Sequence, residues 1–185
     1  MTTSREFCRF APSREPIPLV TVWASPRRAC LSVFLLLTPA EHPTHVLAGK
    51  IDPRADWEEI GALSAPMVEA NRERWILPSS HLIIGEGPTA AAARILAEQL
   101  GGFPADLAPP LVIHDTYPQR GAPEAPPHWD IGFVFRGRVD PARLPATTAF
   151  RELRFLDLPA VERAQFGRMH DEVLEEAGFS WTPGR

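Results

Sequence analysis

Glu86, Arg94, Glu98 and Gln99 are the residues of this chain whose types and spacing can do chemistry. Arg94 precedes Glu98 by four positions, so a helix stacks the two side chains on one face. Glu86 lies on a glycine turn just upstream, within reach of the same guanidinium. A solvated Arg–Glu pair is commonplace and contributes little. Carboxylate and amide oxygens that share a helical face are also the donors a hard divalent cation takes. Glu98 brings a charge to such a set, and Gln99 brings only a carbonyl oxygen.

The elements that must hold these residues follow from the flanking sequence. Trp75–Pro78 and Ser80–Ile84 are short apolar runs bounded by Pro and Gly, which read as strands. Gly85-Glu86-Gly87 is a turn. Pro88 suits a first helical position, where its missing N–H costs nothing. Ala90–Ala93 are strong helix formers, and Gly101-Gly102 stop the helix. The expectation is a helix between residues 88 and 100, with Ala92, Leu96 and Leu100 as a stripe against a sheet and Ile95 beside it.

Taken as one register, WILPSSHLIIGEGPTAAAARILAEQLGG (75–102) resembles the Nudix box. That pattern is a Gly, five residues, a Glu, seven residues, then Arg-Glu-apolar-x-Glu-Glu-x-Gly. Glu86, Arg94, Leu96, Glu98 and Gly101 hold their places. The usual Gly-Gly is Ser79-Ser80, the Glu after the Arg is Ile95, and the second Glu of the pair is Gln99. The runs HWDIGFVF (128–135) and ELRFLDLPAV (152–161) resemble the second half of the family, so the likeness spans roughly 17–180.

The resemblance implies a Nudix-like α/β/α sandwich with a mixed β-sheet between helices. It implies catalytic positions at Glu98 and Gln99, with Mg²⁺ or Mn²⁺ held by Glu98, Glu86 and Glu152. Arg94, Ser79, Ser80, His81, Glu124 and Trp129 would bind ligand, His114, His128 and Asp130 would line the pocket with His81, and Tyr117 and Trp129 would stack on a base. One helical carboxylate in place of three predicts weak metal binding. Serine in place of the glycine pair predicts a changed approach to phosphate, because its Cβ disfavours positive φ. The implied function is binding of a nucleotide-like or phosphorylated small molecule with weak or no hydrolysis. The alternative is an active divalent-metal-dependent hydrolase that cleaves a nucleoside-diphosphate derivative.

The remaining sequence sets bounds. A chain of 185 residues suggests one domain, residues 17–182, preceded by a flexible arm at 1–16 broken by prolines. The net charge of −4 gives no broad attraction to nucleic acid or to an anionic membrane. Lys50 is the one lysine among 19 basic residues and there are 21 prolines, which fits the codon usage of a GC-rich bacterial genome. Cys8 and Cys30 have neither metal nor redox spacing, and a reducing cytoplasm is the expected compartment. Pro26-Arg27-Arg28 and the apolar run after it read better as the approach to a core strand than as an export signal. A homodimer stays open.

Strands are expected at Leu19–Trp23, Ala29–Thr38, His45–Ile51, Leu111–Tyr117, His128–Arg138 and Ala149–Leu158. A helix interrupted near Pro66 is expected over 54–74, loops at 103–110 and 118–127, and a closing helix from Val161 to Ala177 that buries Phe166, Met169, Val173 and Ala177. His42 and His45 sit in a turn, where two exposed imidazoles are expected rather than a metal site. Asp171-Glu172-Val-Leu-Glu175-Glu176-Ala-Gly178 imitates the end of the box, but no glycine turn precedes it and Arg163 stands at the first Glu position. A capped helix with a solvated acidic face is the expected reading.

Overall fold

The computed structural model of the chain describes Arg5 and residues 29–117, 128–144 and 146–181. Its centre is β1 (Ala29–Pro39), the most apolar run of the sequence. This strand pairs in parallel with β7 (His128–Val139) along its whole length and antiparallel with β4 (Ser79–His81). Two strands, β5 (Asp106–Leu107) and β6 (Leu111–Tyr117), add antiparallel to β7 and complete a five-stranded mixed sheet. A second, antiparallel sheet is formed by β3 (Trp75–Ile76), β2 (His45–Ile51) and β8 (Phe150–Asp157).

Both faces of β1 are covered, which is why its sequence is a continuous apolar run rather than an alternation. Val33, Leu35 and Leu37 enter one core with Trp57 of α1 (Trp57–Gly61), Val68 of α2 (Ala65–Asn71) and Ala91, Ala92 and Ile95 of α3 (Pro88–Gln99). Phe34 and Leu36 enter a second core with Val173 and Leu174 of α4 (His170–Glu176). Each fully buried Leu or Val contributes about 1.5–3 kcal/mol relative to exposure. The result is an α/β/α sandwich, as the sequence implies.

Helix α3 starts at Pro88, and Gly101 ends it at φ 59°, where a Cβ would stand 2.6 Å from the Ala146 carbonyl oxygen. Its buried residues are Ala91, Ala92, Ile95 and Gln99, so the expected stripe is rotated and Leu96 is only half-buried. The stretch 54–74 is two short helices: Asp56 caps α1 by accepting from Glu59 N, and Pro66 falls in the first turn of α2. The expected loop after the box contains β5. Expectations for Leu19–Trp23 and 118–127 lie outside the described residues, as does the arm except Arg5.

The closing helix needs correction. Residues 158–165 form two 3₁₀ turns, and α4 covers only His170–Glu176. Phe166 bridges to Trp75 beside β3, and Gly167 donates to the Trp75 carbonyl. A Cβ on Gly167 would meet Asn71 Oδ1 at 2.4 Å. Docking against β3 therefore overrides the helical periodicity of 161–169. Phe166, Val173 and Ala177 are buried as expected, while Met169 caps α4 in the left-handed region at φ 58°. Arg163 bonds Asp171 Oδ2 at 2.6 Å and Glu175 Oε2 at 2.9 Å, so the imitation of the box is an ion-paired helix with Asp171 buried rather than solvated.

Candidate functional site

Arg94 organises the turn before α3. Its Nε and Nη2 donate to the two Glu86 oxygens, each at 2.9 Å, in a fork-to-fork pair. Nη2 also donates to the His81 carbonyl at 2.9 Å and Nη1 to Ser80 Oγ at 3.3 Å. Glu86 accepts in addition from Ile83 N. Burial pushes the Glu86 carboxyl up, but the bonds from Arg94 and Ile83 outweigh it and hold it below its ordinary value. Glu86 thus ties the glycine turn to the helix.

Ile95 occupies the position where the box pattern has its first helical acid. It is fully buried among Val33, Leu35 and Phe135. Gln99 occupies the position of the last acid and is also fully buried. Its Oε1 accepts from Ser79 N at 3.1 Å. Its Nε2 donates to the Ser79 carbonyl at 2.7 Å and to the Ile60 carbonyl of α1 at 3.0 Å. The network fixes the amide orientation, since a flipped amide would set oxygen against two carbonyls. Gln99 therefore does not face a cleft. It joins β4, α1 and α3.

Glu98 is the one acid of the helical set, and a guanidinium holds it. Arg5 Nη1 and Nη2 donate to the two Glu98 oxygens at 3.1 and 2.7 Å. Arg5 also reaches the Glu59 carbonyl at 2.9 Å and its carboxylate at 2.8 Å. The bond to Glu98 raises Arg5 above its already high value. Arg94 Nη1 approaches Glu98 from the other side at 3.8 Å.

Glu152, expected as an outside carboxylate, lies on β8 opposite Lys50 and pairs with Lys50 at 3.3 Å and Arg154 at 3.4 Å. Lys50 and Arg154 each stand 4.7 Å from the Trp75 ring centre, a cation–π arrangement in the three-stranded sheet. The structure brings Glu86 and Glu98 together around Arg94 but does not bring Glu152 to them. Among the described residues no three His, Cys, Asp or Glu side chains converge as a cation would need. An apolar Ile95, an amide wedged between carbonyls and a carboxylate closed in a guanidinium fork do not fit a divalent cation.

Ser79 and Ser80 sit in β4 without positive φ, so serine is unstrained there. The Ser79 hydroxyl is buried and has no hydrogen-bond partner among the described residues. His81 is buried on the sheet face opposite α3, in register with Ser32, whose hydroxyl donates to Asp130 Oδ1 at 2.8 Å. Glu124 lies outside the described residues. Trp129, Tyr117, His114 and His128 are placed by their backbones alone, along β6 and β7. His42 and His45 have ring centres 4.9 Å apart, and His45 faces Thr44 and Asp157.

Sequence reasoning missed three residues. Arg5 acts 93 positions away from its partner, and nothing local marks it. Ser32 sits inside an apolar run, where a lone serine draws no attention. His170 is buried, with Nδ1 accepting from Leu77 N at 2.8 Å and its ring edge-on to Phe34, and burial holds it neutral, well below its ordinary value.

No protein-family model matches the sequence, and no curated protein matches it. Solved structures do. A dihydroneopterin triphosphate pyrophosphohydrolase of E. coli superposes with a TM-score of 0.52 over 80% of this chain and 94% of its own, at 14% identity. A MutT Nudix hydrolase from Burkholderia pseudomallei gives 0.52 over 80% and 97%, at 15% identity. A Nudix hydrolase from Nitrosomonas europaea gives 0.50 over 83% and 93%, at 15% identity. At these identities the likeness establishes the fold.

Proposed function

The chain has the Nudix fold, and on that premise we propose that it binds a nucleotide-like or otherwise phosphorylated small molecule with weak or no hydrolysis. The observation that carries this reading is the fate of the box helix. Two of its three acid positions are built into the core and the backbone network, at Ile95 and Gln99. The third, Glu98, is held by Arg5. The ligand class comes from the triphosphate pyrophosphohydrolase that shares the fold.

In this reading Glu86 is a positioning residue that keeps the turn in place, and Arg94 both orients Ser80 and belongs to the recognition set. Recognition falls to the ligand-binding set, Arg94, Ser79, Ser80, His81, Glu124 and Trp129, with Ser32 and Asp130 beside His81. Divalent cations bind at millimolar affinity at best. The hydrolase alternative rests on Glu98, whose side chain keeps 24% of its surface exposed and would be released if Arg5 withdrew.

Calorimetry with Mg²⁺ and Mn²⁺, followed by a hydrolysis and binding panel of nucleoside di- and triphosphates, nucleotide sugars and dinucleotides, tests the proposal. Binding of a panel member without turnover is the expected result. Stoichiometric micromolar metal binding, with turnover abolished by Glu98→Gln, would establish the hydrolase instead.

A further inference from the structure

A pocket of about 500 Å³ lies past the box strand along β1. Thr38 and Leu36 of β1 border it, whereas the box strand β4 pairs with Ser32–Phe34. Leu36 is two residues along the strand from Phe34, roughly 7 Å at strand rise, and Thr38 lies two residues further. The pocket also opens beside α4, on the face of β1 opposite α3. Its size is that of a small-molecule site.

Two arginines of β7, Arg136 and Arg138, line this pocket. They are two positions apart and so share a face of the strand. Each is oriented by main chain: Arg136 donates to the Ala177 carbonyl at the end of α4, and Arg138 to the Pro39 and Ala40 carbonyls at the end of β1. Neither has a carboxylate within ion-pair distance among the described residues. Arg5, Arg54, Arg72, Arg94, Arg151, Arg154 and Arg163 are paired with acids, whereas Arg74 shares the main-chain anchoring but does not line the pocket. Asp106 is the single acid on the lining, which leaves it with an excess positive charge. Leu36, Leu158 and Phe179 supply apolar walls.

A guanidinium has five N–H donors, and main-chain anchoring uses only part of them. Two pre-oriented guanidinia over apolar walls suit an anionic head group carried on an apolar body. We infer that this pocket binds a small organic anion, a carboxylate or phosphate monoester with an apolar or aromatic body. This site is separate from the box and stands whether or not the box binds a ligand.

The test is an amide ¹H–¹⁵N NMR titration of the full chain with phenyl phosphate, benzoate and inorganic phosphate. Saturating shifts at Gly137, Gly178 and Ser180 with phenyl phosphate or benzoate are expected, and the stronger of the two identifies the head group. Inorganic phosphate should bind at least tenfold more weakly, because it leaves the apolar walls unused. Arg138→Gln should weaken binding at least tenfold and Arg138→Lys less. Arg136 also closes the end of α4, so Arg138 is the cleaner variant, and its own spectrum reports whether it is folded. Absent shifts, shifts centred on Ser79–Glu86, equal binding of inorganic phosphate, or unchanged affinity in Arg138→Gln would each overturn the inference.

Discussion

Replacing Gln99 by Glu changes one NH₂ group to an oxygen, at the point where that group bridges the Ser79 and Ile60 carbonyls. Both bridging bonds are lost, and a carboxylate is set against two carbonyl oxygens in a fully buried position. An uncompensated buried charge costs about 3–5 kcal/mol. In a domain of this size each kcal/mol moves Tm by roughly 2–4 °C, so a drop of about 6–20 °C is expected at pH 7 with chelator present. The sign with pH is definite. The folded-state pKa of the new carboxyl is raised, so its penalty is complete above that value and fades as pH falls toward the unfolded value of about 4.3. The same substitution also makes an all-oxygen cradle of the carboxylate and two carbonyls, which is the donor set of a hard cation. A cation present at about 100 times its Kd restores about 2.7 kcal/mol, or roughly 5–11 °C. Thermal unfolding of the wild type, Gln99→Glu and Gln99→Met, with chelator and with Mg²⁺, Mn²⁺ or Ca²⁺, reads this directly. Gln99→Met should be destabilised without any response to metal. A Gln99→Glu protein as stable as the wild type in chelator, or one no more metal-responsive than Gln99→Met, would refute the bridging role.

Arg5→Ala should raise Mg²⁺ affinity by calorimetry while costing less than about 1 kcal/mol, since the pair is partly exposed. Ser79→Ala removes a buried hydroxyl that has no partner among the described residues and should raise stability by about 1 kcal/mol in denaturant unfolding. Ile95→Glu places a charge in the core and should prevent folding rather than restore a metal site, which circular dichroism would show. His170 is held neutral in the fold, so the unfolded chain takes up the extra proton below about pH 6.5. Stability should fall with pH there by up to about 1.4 kcal/mol per unit, and His170→Gln should remove that slope between pH 6.5 and 5.5.

The sequence reveals elements wherever one local signal dominates. The runs His45–Ile51 and Leu111–Tyr117 are strands to the residue, and Pro88 and Gly101 bound the box helix as their backbone chemistry requires. It conceals whatever a distant element decides. The 161–169 segment carries helical spacing, yet Phe166 docks on Trp75 and Gly167 packs under Asn71. Gln99 reads as a cleft residue from the register of the box, but α1 brings the Ile60 carbonyl over it, and nothing in 57–61 announces a partner at 99. For the site, the Glu86–Arg94 pair was readable from spacing. The capture of Glu98 by Arg5 was not, because it joins two charged residues with no pattern between them.

The parallel pairing of β1 with β7 has a consequence for the moment of synthesis. Leu35 lies opposite Phe135, and every other pair in this ladder is likewise one hundred residues apart. At a translation rate of roughly 5–20 residues per second, about 5–20 s pass between the making of β1 and that of its partner. Through that interval the most apolar segment of the chain waits with one edge unpaired and a face without α4. A nascent chain halted before residue 128 should therefore engage a holding chaperone, and one extended past Gly178 should let it go.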